Sequence, residues 1–235
     1  MSYTKRNDGR KFDQMRKIEA KVNIIPRADG SAMFKIGDTY AIAAVYGPRS
    51  LHPKFLQDPE KGVLRCNYTM LPFSVTERIR PGPSRRSTEI SLVTQKALLP
   101  VLDLEKFPNA VVDVFIQIIQ ANAGTRCAGI CAAAMALAHA GIPMKDMVAA
   151  VSVGKVGDKV VIDLDKSEED YEEGATDIPV AMTGRNHEVT LLQLDGEVSR
   201  EELMNGLEMA KKGCSEIIEV QKKALRESVK VSQNE

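Results

Sequence analysis

Apolar and polar residues alternate near the start of the chain. Ile18, Ala20, Val22 and Ile24 are separated by charged or polar residues, the two-residue period of a half-buried strand. Asp29 and Gly30 supply a turn, and strand-like runs follow at residues 32–36 and 40–46, divided by Gly37 and Asp38. The opening third therefore reads as an antiparallel meander. Proline, glycine and basic residues dominate from 47 to 86, which predicts long loops around one short strand at 64–70.

The period then changes. Ile90, Val93 and Ala97 have helical spacing over 87–99, with Ser84 or Ser87 as the cap and Pro100 at the end. Alternation returns at 112–118. An Ala-rich segment, 124–140, reads as a helix closed by Gly141 and Pro143, with side chains small enough for close packing on a sheet. Strands are predicted at 148–153, 159–164, 178–182 and 189–194. Ser199 and Glu202 then form a capping box opening a long amphipathic helix through Leu203, Leu207, Ala210, Cys214, Ile217 and Leu225. Strands, helix, strand, helix, strands, helix is the order of an α+β fold, a mixed-sheet α/β sandwich, without the steady alternation of a doubly wound sheet. No linker divides it, so residues 1–235 are expected to form one domain ending in the long helix.

Composition removes one simple argument. Lys plus Arg and Asp plus Glu both number 32, so the net charge is +0 and attraction to a polyanion must come from local clusters. The first fourteen residues are polar, with no apolar signal core, and no stretch approaches the ~20 apolar residues of a membrane span. The expected location is the cytoplasm. Cys66, Cys127, Cys131 and Cys214 have neither zinc-ribbon nor disulfide-framework spacing and read as reduced thiols. His52, His139 and His187 are scattered, and no Ser or Cys sits in a nucleophile elbow.

Three local clusters carry chemistry. TERIRPGPSRRSTEI, residues 76–90, places Arg78, Arg80, Arg85 and Arg86 in a loop with Pro and Gly that leads into a helix, where planar guanidinium forks and the free amides of the helix start suit phosphate oxygens. A solvated basic loop is the plain alternative. In ANAGTRCAG a strand ends in Gly124, Thr125 and Arg126 and a helix begins at once, a small-anion pocket unless Thr125 is only a cap. It is neither a Walker loop nor a dinucleotide fingerprint. The third cluster has seven acids among residues 163–173, most of which must be solvated. Asp177 differs, standing at the mouth of a strand as a candidate general acid or Mg²⁺ ligand.

Two arginine sites and a carboxylate suggest chemistry between two phosphates. The segments GRKFDQMRKIEAKVN, ADGSAMFKIGDTYAIAAVYGP, YTMLPFS, PGPSRRSTEIS, IQANAGTRCAGICAAAMALAHAGIPM and TDIPVAMTG together resemble the ribonuclease PH family over residues 9 to about 195. PSRR and DIPVAM are more similar to the active ring subunits of archaeal exosomes than to bacterial ribonuclease PH, with its GRTQEI-like segment.

The resemblance implies a fold of the ribosomal protein S5 domain 2 type. It implies a phosphate-dependent 3′→5′ exoribonuclease that releases nucleoside 5′-diphosphates and can run backwards to tail RNA. It also implies a six-membered ring with an inactive paralogue, and RNA-binding cap subunits. Residue by residue, Arg85 and Arg86 would hold single-stranded RNA, with Arg65 beside them and Tyr68 stacking on a base. Gly124, Thr125 and Arg126 would hold the inorganic phosphate co-substrate. Asp177 would be the acid and Asp170 the second carboxylate, with Glu169 the alternative because the tract is longer than expected. Asp170 and Asp177 could share a Mg²⁺ ion. The rivals are a hydrolytic metal nuclease and a non-catalytic RNA-binding ring subunit.

Overall fold

The computed structural model describes residues 3–171 and 174–232. The alternating runs become β1 (Ile18–Val22), β2 (Gly30–Ile36) and β3 (Thr39–Ser50), an antiparallel meander as expected. β1 stops before Ile24 because Asn23 turns into left-handed backbone, φ 58°. β4 (Val63–Met70) and β5 (Ala110–Gln120) complete this sheet in the order β1-β2-β3-β5-β4. β5 runs antiparallel to β3 and parallel to β4, so the sheet is mixed. The parallel pair requires a crossover, supplied by α1 (Arg85–Leu98).

A second sheet has the order β7-β6-β8-β9, from β6 (Val148–Val156), β7 (Lys159–Ile162), β8 (Ala175–Thr183) and β9 (Val189–Leu192), all antiparallel. Between β7 and β8 lies α3 (Lys166–Glu169), a single turn within the acidic tract that the hydrophobic pattern gives no sign of. The chain closes with α4 (Arg200–Ser232), capped reciprocally by Ser199 and Glu202.

α2 (Thr125–His139) joins the two sheets. Its cysteines and every alanine but Ala138 are buried, and one apolar cluster runs from Phe34 and Val45 through Ile130 and Leu137 to Val151 and Val180. Small side chains let backbones approach closely. A Cβ placed on Gly30 of β2 would lie 2.3 Å from the Ala136 carbonyl oxygen and 2.4 Å from the Ala140 nitrogen. Gly30→Ala should therefore push α2 off the first sheet and cost about 1–3 kcal/mol, read as a lowered urea midpoint with unchanged slope. A parental midpoint would show that the close approach relaxes freely.

Candidate active site

The ends of four elements converge on a cleft of about 540 Å³ lined by Arg86 and Glu89 of α1, Arg126 of α2, Lys166, Glu169 and Asp170 in and after α3, and Asp177 of β8, with Gln193 and Asp195 beyond β9. Ser84 caps α1: its Oγ accepts from the Ser87 amide at 3.0 Å, and its own amide donates to Ser87 Oγ at 2.8 Å. That cap places Arg85 and Arg86 on the first helical turn rather than in the loop. Their directions are then set by the helix: Arg86 faces the cleft, while Arg85 is exposed and outside its lining.

α2 begins at Thr125 behind Gly124, whose left-handed backbone, φ 62°, swings the chain from sheet to helix. The Gly124 amide is directed at the Glu169 carboxylate. Arg126 is half-buried and donates from Nη1 to Gln193 Oε1, while Gln193 Nε2 donates to Glu89 Oε1 at 3.0 Å. Thr125 is buried, its side chain toward Tyr68 and outside the lining of the cleft, so what it offers an anion there is its helix-start amide.

Asp177 does not stand at a strand mouth, as the pattern implied. It is the third residue of β8, opposite Gly154 of β6, and its backbone exchanges hydrogen bonds with Asp195 at 3.0 and 2.9 Å. Ser152 Oγ donates to Asp177 Oδ1. Burial is the largest influence and raises the Asp177 carboxyl above its ordinary value, with the Asp195 charge acting the same way. The Ser152 bond and the Arg126 and Arg86 charges act against it. Glu169 is pushed up to about 7, first by burial and then by the charge of Asp177, against Lys166, Arg86 and the Gly124 amide. Both carboxyls thus lie in a poorly solvated cleft that favours their protonated forms, and the charge of Asp177 adds to the effect on Glu169.

Three expectations meet a different arrangement. The Asp170 carboxylate turns to the mouth of the cleft, 61% exposed, and accepts from Lys166 Nζ at 2.6 Å; Glu169 is the one coupled to Asp177. Tyr68 is 2% exposed, and its ring packs toward Gly129 within the core, so it has no open face on which a base could stack. The reason is the pleat: Tyr68 belongs to the inward row of β4, with Leu64. Arg65 belongs to the outward row, engages Asp113 through two bonds of 2.7 and 2.9 Å, and does not line the cleft. Ser152, Gln193, Glu89 and Asp195 escaped the sequence reading, since a lone polar residue, whether on a strand, a helix or a loop, carries no periodic signal.

Arginines facing two carboxyls of raised proton affinity form a cleft equipped to act on a phosphate ester. Comparison with known proteins gives that class its family. Residues 14–143 match the RNase PH profile described as 3′ exoribonuclease family, domain 1, and residues 146–213 match domain 2. The chain belongs to this family. It is 50% identical over 230 residues to the exosome complex component Rrp41 of Thermococcus gammatolerans, covering 97% of this chain and 92% of that one. Rrp41 of Pyrococcus furiosus is likewise 50% identical over 230 residues, covering 97% of this chain and 91% of its own. Among solved structures, rice Rrp46 superposes with a TM-score of 0.82 at 25% identity, covering 94% of this chain and all of that one. A structure described as the Archaeoglobus fulgidus exosome with RNA bound to the active site shares the fold, with a TM-score of 0.78 at 24% identity over 92% of each chain.

Proposed function

We propose that this chain is the catalytic ring subunit of an archaeal-type exosome, removing nucleotides from RNA 3′ ends by transfer to inorganic phosphate. The observation that carries this reading is the facing of Arg86 and Arg126 across one cleft from the half-buried Asp177 and Glu169. Two unit negative charges at ~4 Å repel by about 4 kcal/mol at an effective dielectric of ~20, so two phosphates meet only where cations offset them. Arg126 and the amides at the start of α2 take the attacking phosphate, and Arg86, with Arg85 outside it, takes the RNA backbone. The Asp177–Glu169 pair delivers its proton to the departing ribose 3′ oxygen. One phosphate bond replaces another, so the product is a nucleoside 5′-diphosphate and the reaction runs both ways. Were Mg²⁺ to bind, Asp177 and Glu169 would hold it and it would offset phosphate charge, since it needs only one or two protein carboxylates. Among the described residues no three His, Cys, Asp or Glu side chains cluster to cage it.

The kinship with Rrp41, an exosome complex component, supports assembly into such a complex, and the reading adds an inactive paralogue in the ring and RNA-binding caps. Among the described residues no helix is long and apolar enough to cross a membrane. The deciding assay supplies oligoadenylate with and without phosphate to the chain in its assembly. Diphosphate product that requires phosphate supports the reading, whereas monophosphate released without it means hydrolysis, and no product means a binding subunit.

Two further results are expected. Arg85→Glu with Arg86→Glu should weaken RNA binding and flatten its log–log salt dependence by about 0.7 per lost phosphate contact; an unchanged filter-binding isotherm would leave both arginines as solvated surface. The degradative kcat should fall as pH rises through about 7, where Glu169 loses its proton, and Glu169→Gln should displace that limb. The same shift makes the native state bind more protons than the unfolded one between the ordinary 4.5 and about 7, so this carboxylate lowers fold stability as pH climbs through that window.

A further inference from the structure

α3 is a single turn, and one turn of helix has little stability of its own. Its only buried side chain is Glu168, the neighbour of Glu169. Glu168 is held by Arg6, both side chains being 0% exposed. Arg6 donates from Nε to Oε1 and from Nη2 to Oε2, each at 2.7 Å, and the Tyr3 hydroxyl donates to Oε1 at 2.8 Å. The fork is fixed in turn: Nη1 donates to the Ile162 carbonyl at 2.8 Å and to Gln14 at 3.1 Å, and Nη2 to the Asp163 carbonyl at 2.8 Å.

A second brace runs beside it. Arg16 binds Asp163 from Nε and Nη2 at 2.9 and 2.6 Å and donates from Nη1 to the Asn122 carbonyl. Asn122 Oδ1 accepts the Lys166 amide at 3.0 Å. The amino-terminal segment therefore grips both the start of α3 and the loop that leads to Gly124.

A buried ion pair is a poor device for stability alone, because desolvation offsets most of its attraction and an apolar pair of equal volume does as well. It is a directional device, since a planar fork on a carboxylate fixes angle as well as distance. We propose that Arg6 is a positioning residue, clamping Glu168 so that the next side chain, Glu169, faces Asp177. This rests on the role given to Glu169 above.

The test compares Arg6→Lys and the double variant Arg6→Met with Glu168→Met, each in the assembly that degrades RNA, through kcat, KM for RNA and Tm. The double variant removes both charges together, so no buried charge is stranded. Its Tm should fall, because the Ile162, Gln14 and Asp163 carbonyls and the Tyr3 hydroxyl lose a partner, but its KM should stay within about threefold, because Arg85, Arg86 and Arg126 are untouched. Its kcat should fall at least tenfold, misplacement of ~1 Å being worth up to ~10²-fold. Arg6→Lys keeps the charge without the fork and should lower kcat severalfold at similar KM. Parental kcat in either variant would overturn the proposal, as would a kcat that merely follows Tm across the set. Glu169→Gln alone separates the two layers. If it leaves kcat unchanged, the reading of the cleft fails; if it lowers kcat while the clamp variants do not, only the positioning role fails.

Discussion

Asp177→Asn should slow RNA degradation by ~10²-fold or more while leaving RNA bound. The substitution keeps the shape of the side chain but removes the charge and the transferable proton. The surroundings are built for the acid: Ser152 donates to it, and burial in β8 raises its affinity for a proton. Affinity for RNA should be unchanged or tighter, because a negative group beside a polyanion is gone. Supplied with nucleoside diphosphates and no phosphate, the parent assembly should extend RNA ends, and the variant should lose both directions together, since one transition state serves both. A variant that keeps the parental rate, or loses one direction only at matched saturation, removes Asp177 from the chemistry.

Arg126→Glu should abolish phosphate-dependent degradation at any accessible phosphate concentration. A unit charge ~4 Å from phosphate contributes about 4 kcal/mol at an effective dielectric of ~20, and reversal replaces that attraction with repulsion. The expected loss is therefore at least ~10³-fold, at about 1.4 kcal/mol per decade. Arg126 is half-buried at the start of α2, hydrogen-bonds the neutral Gln193 and acts by its charge on Asp177 within the cleft, so reversal burdens the site and not the apolar core. Circular dichroism and Tm should stay near parental values. Normal rates at saturating phosphate would place the phosphate site elsewhere.

Much of the framework is local physics and was legible in the chain. Two-residue alternation at Ile18–Val22 and through Val112, Val114, Ile116 and Ile118 demands strands. The Ser199 and Glu202 box demands a helix start at Arg200, and the α+β order follows from such signals. Segment resemblance reached the family for a related reason: short runs such as PSRR and AGTR combine turn chemistry with charge, and both must be kept within a few residues.

What faces what is another matter, because neighbours in the cleft are far apart in sequence. Arg86, Arg126 and Asp177 meet only after α1 crosses between β4 and β5 and α2 packs against both sheets. The pleat of β4 alone separates Tyr68, in the core, from Arg65, in solvent, three residues away. The choice between Glu169 and Asp170 could not be made from an acidic run in which every residue has the same local character. It is decided by one turn of helix whose phase is set by Glu168 against Arg6, a contact across 162 residues that places one carboxylate beside Asp177 and leaves the next in water.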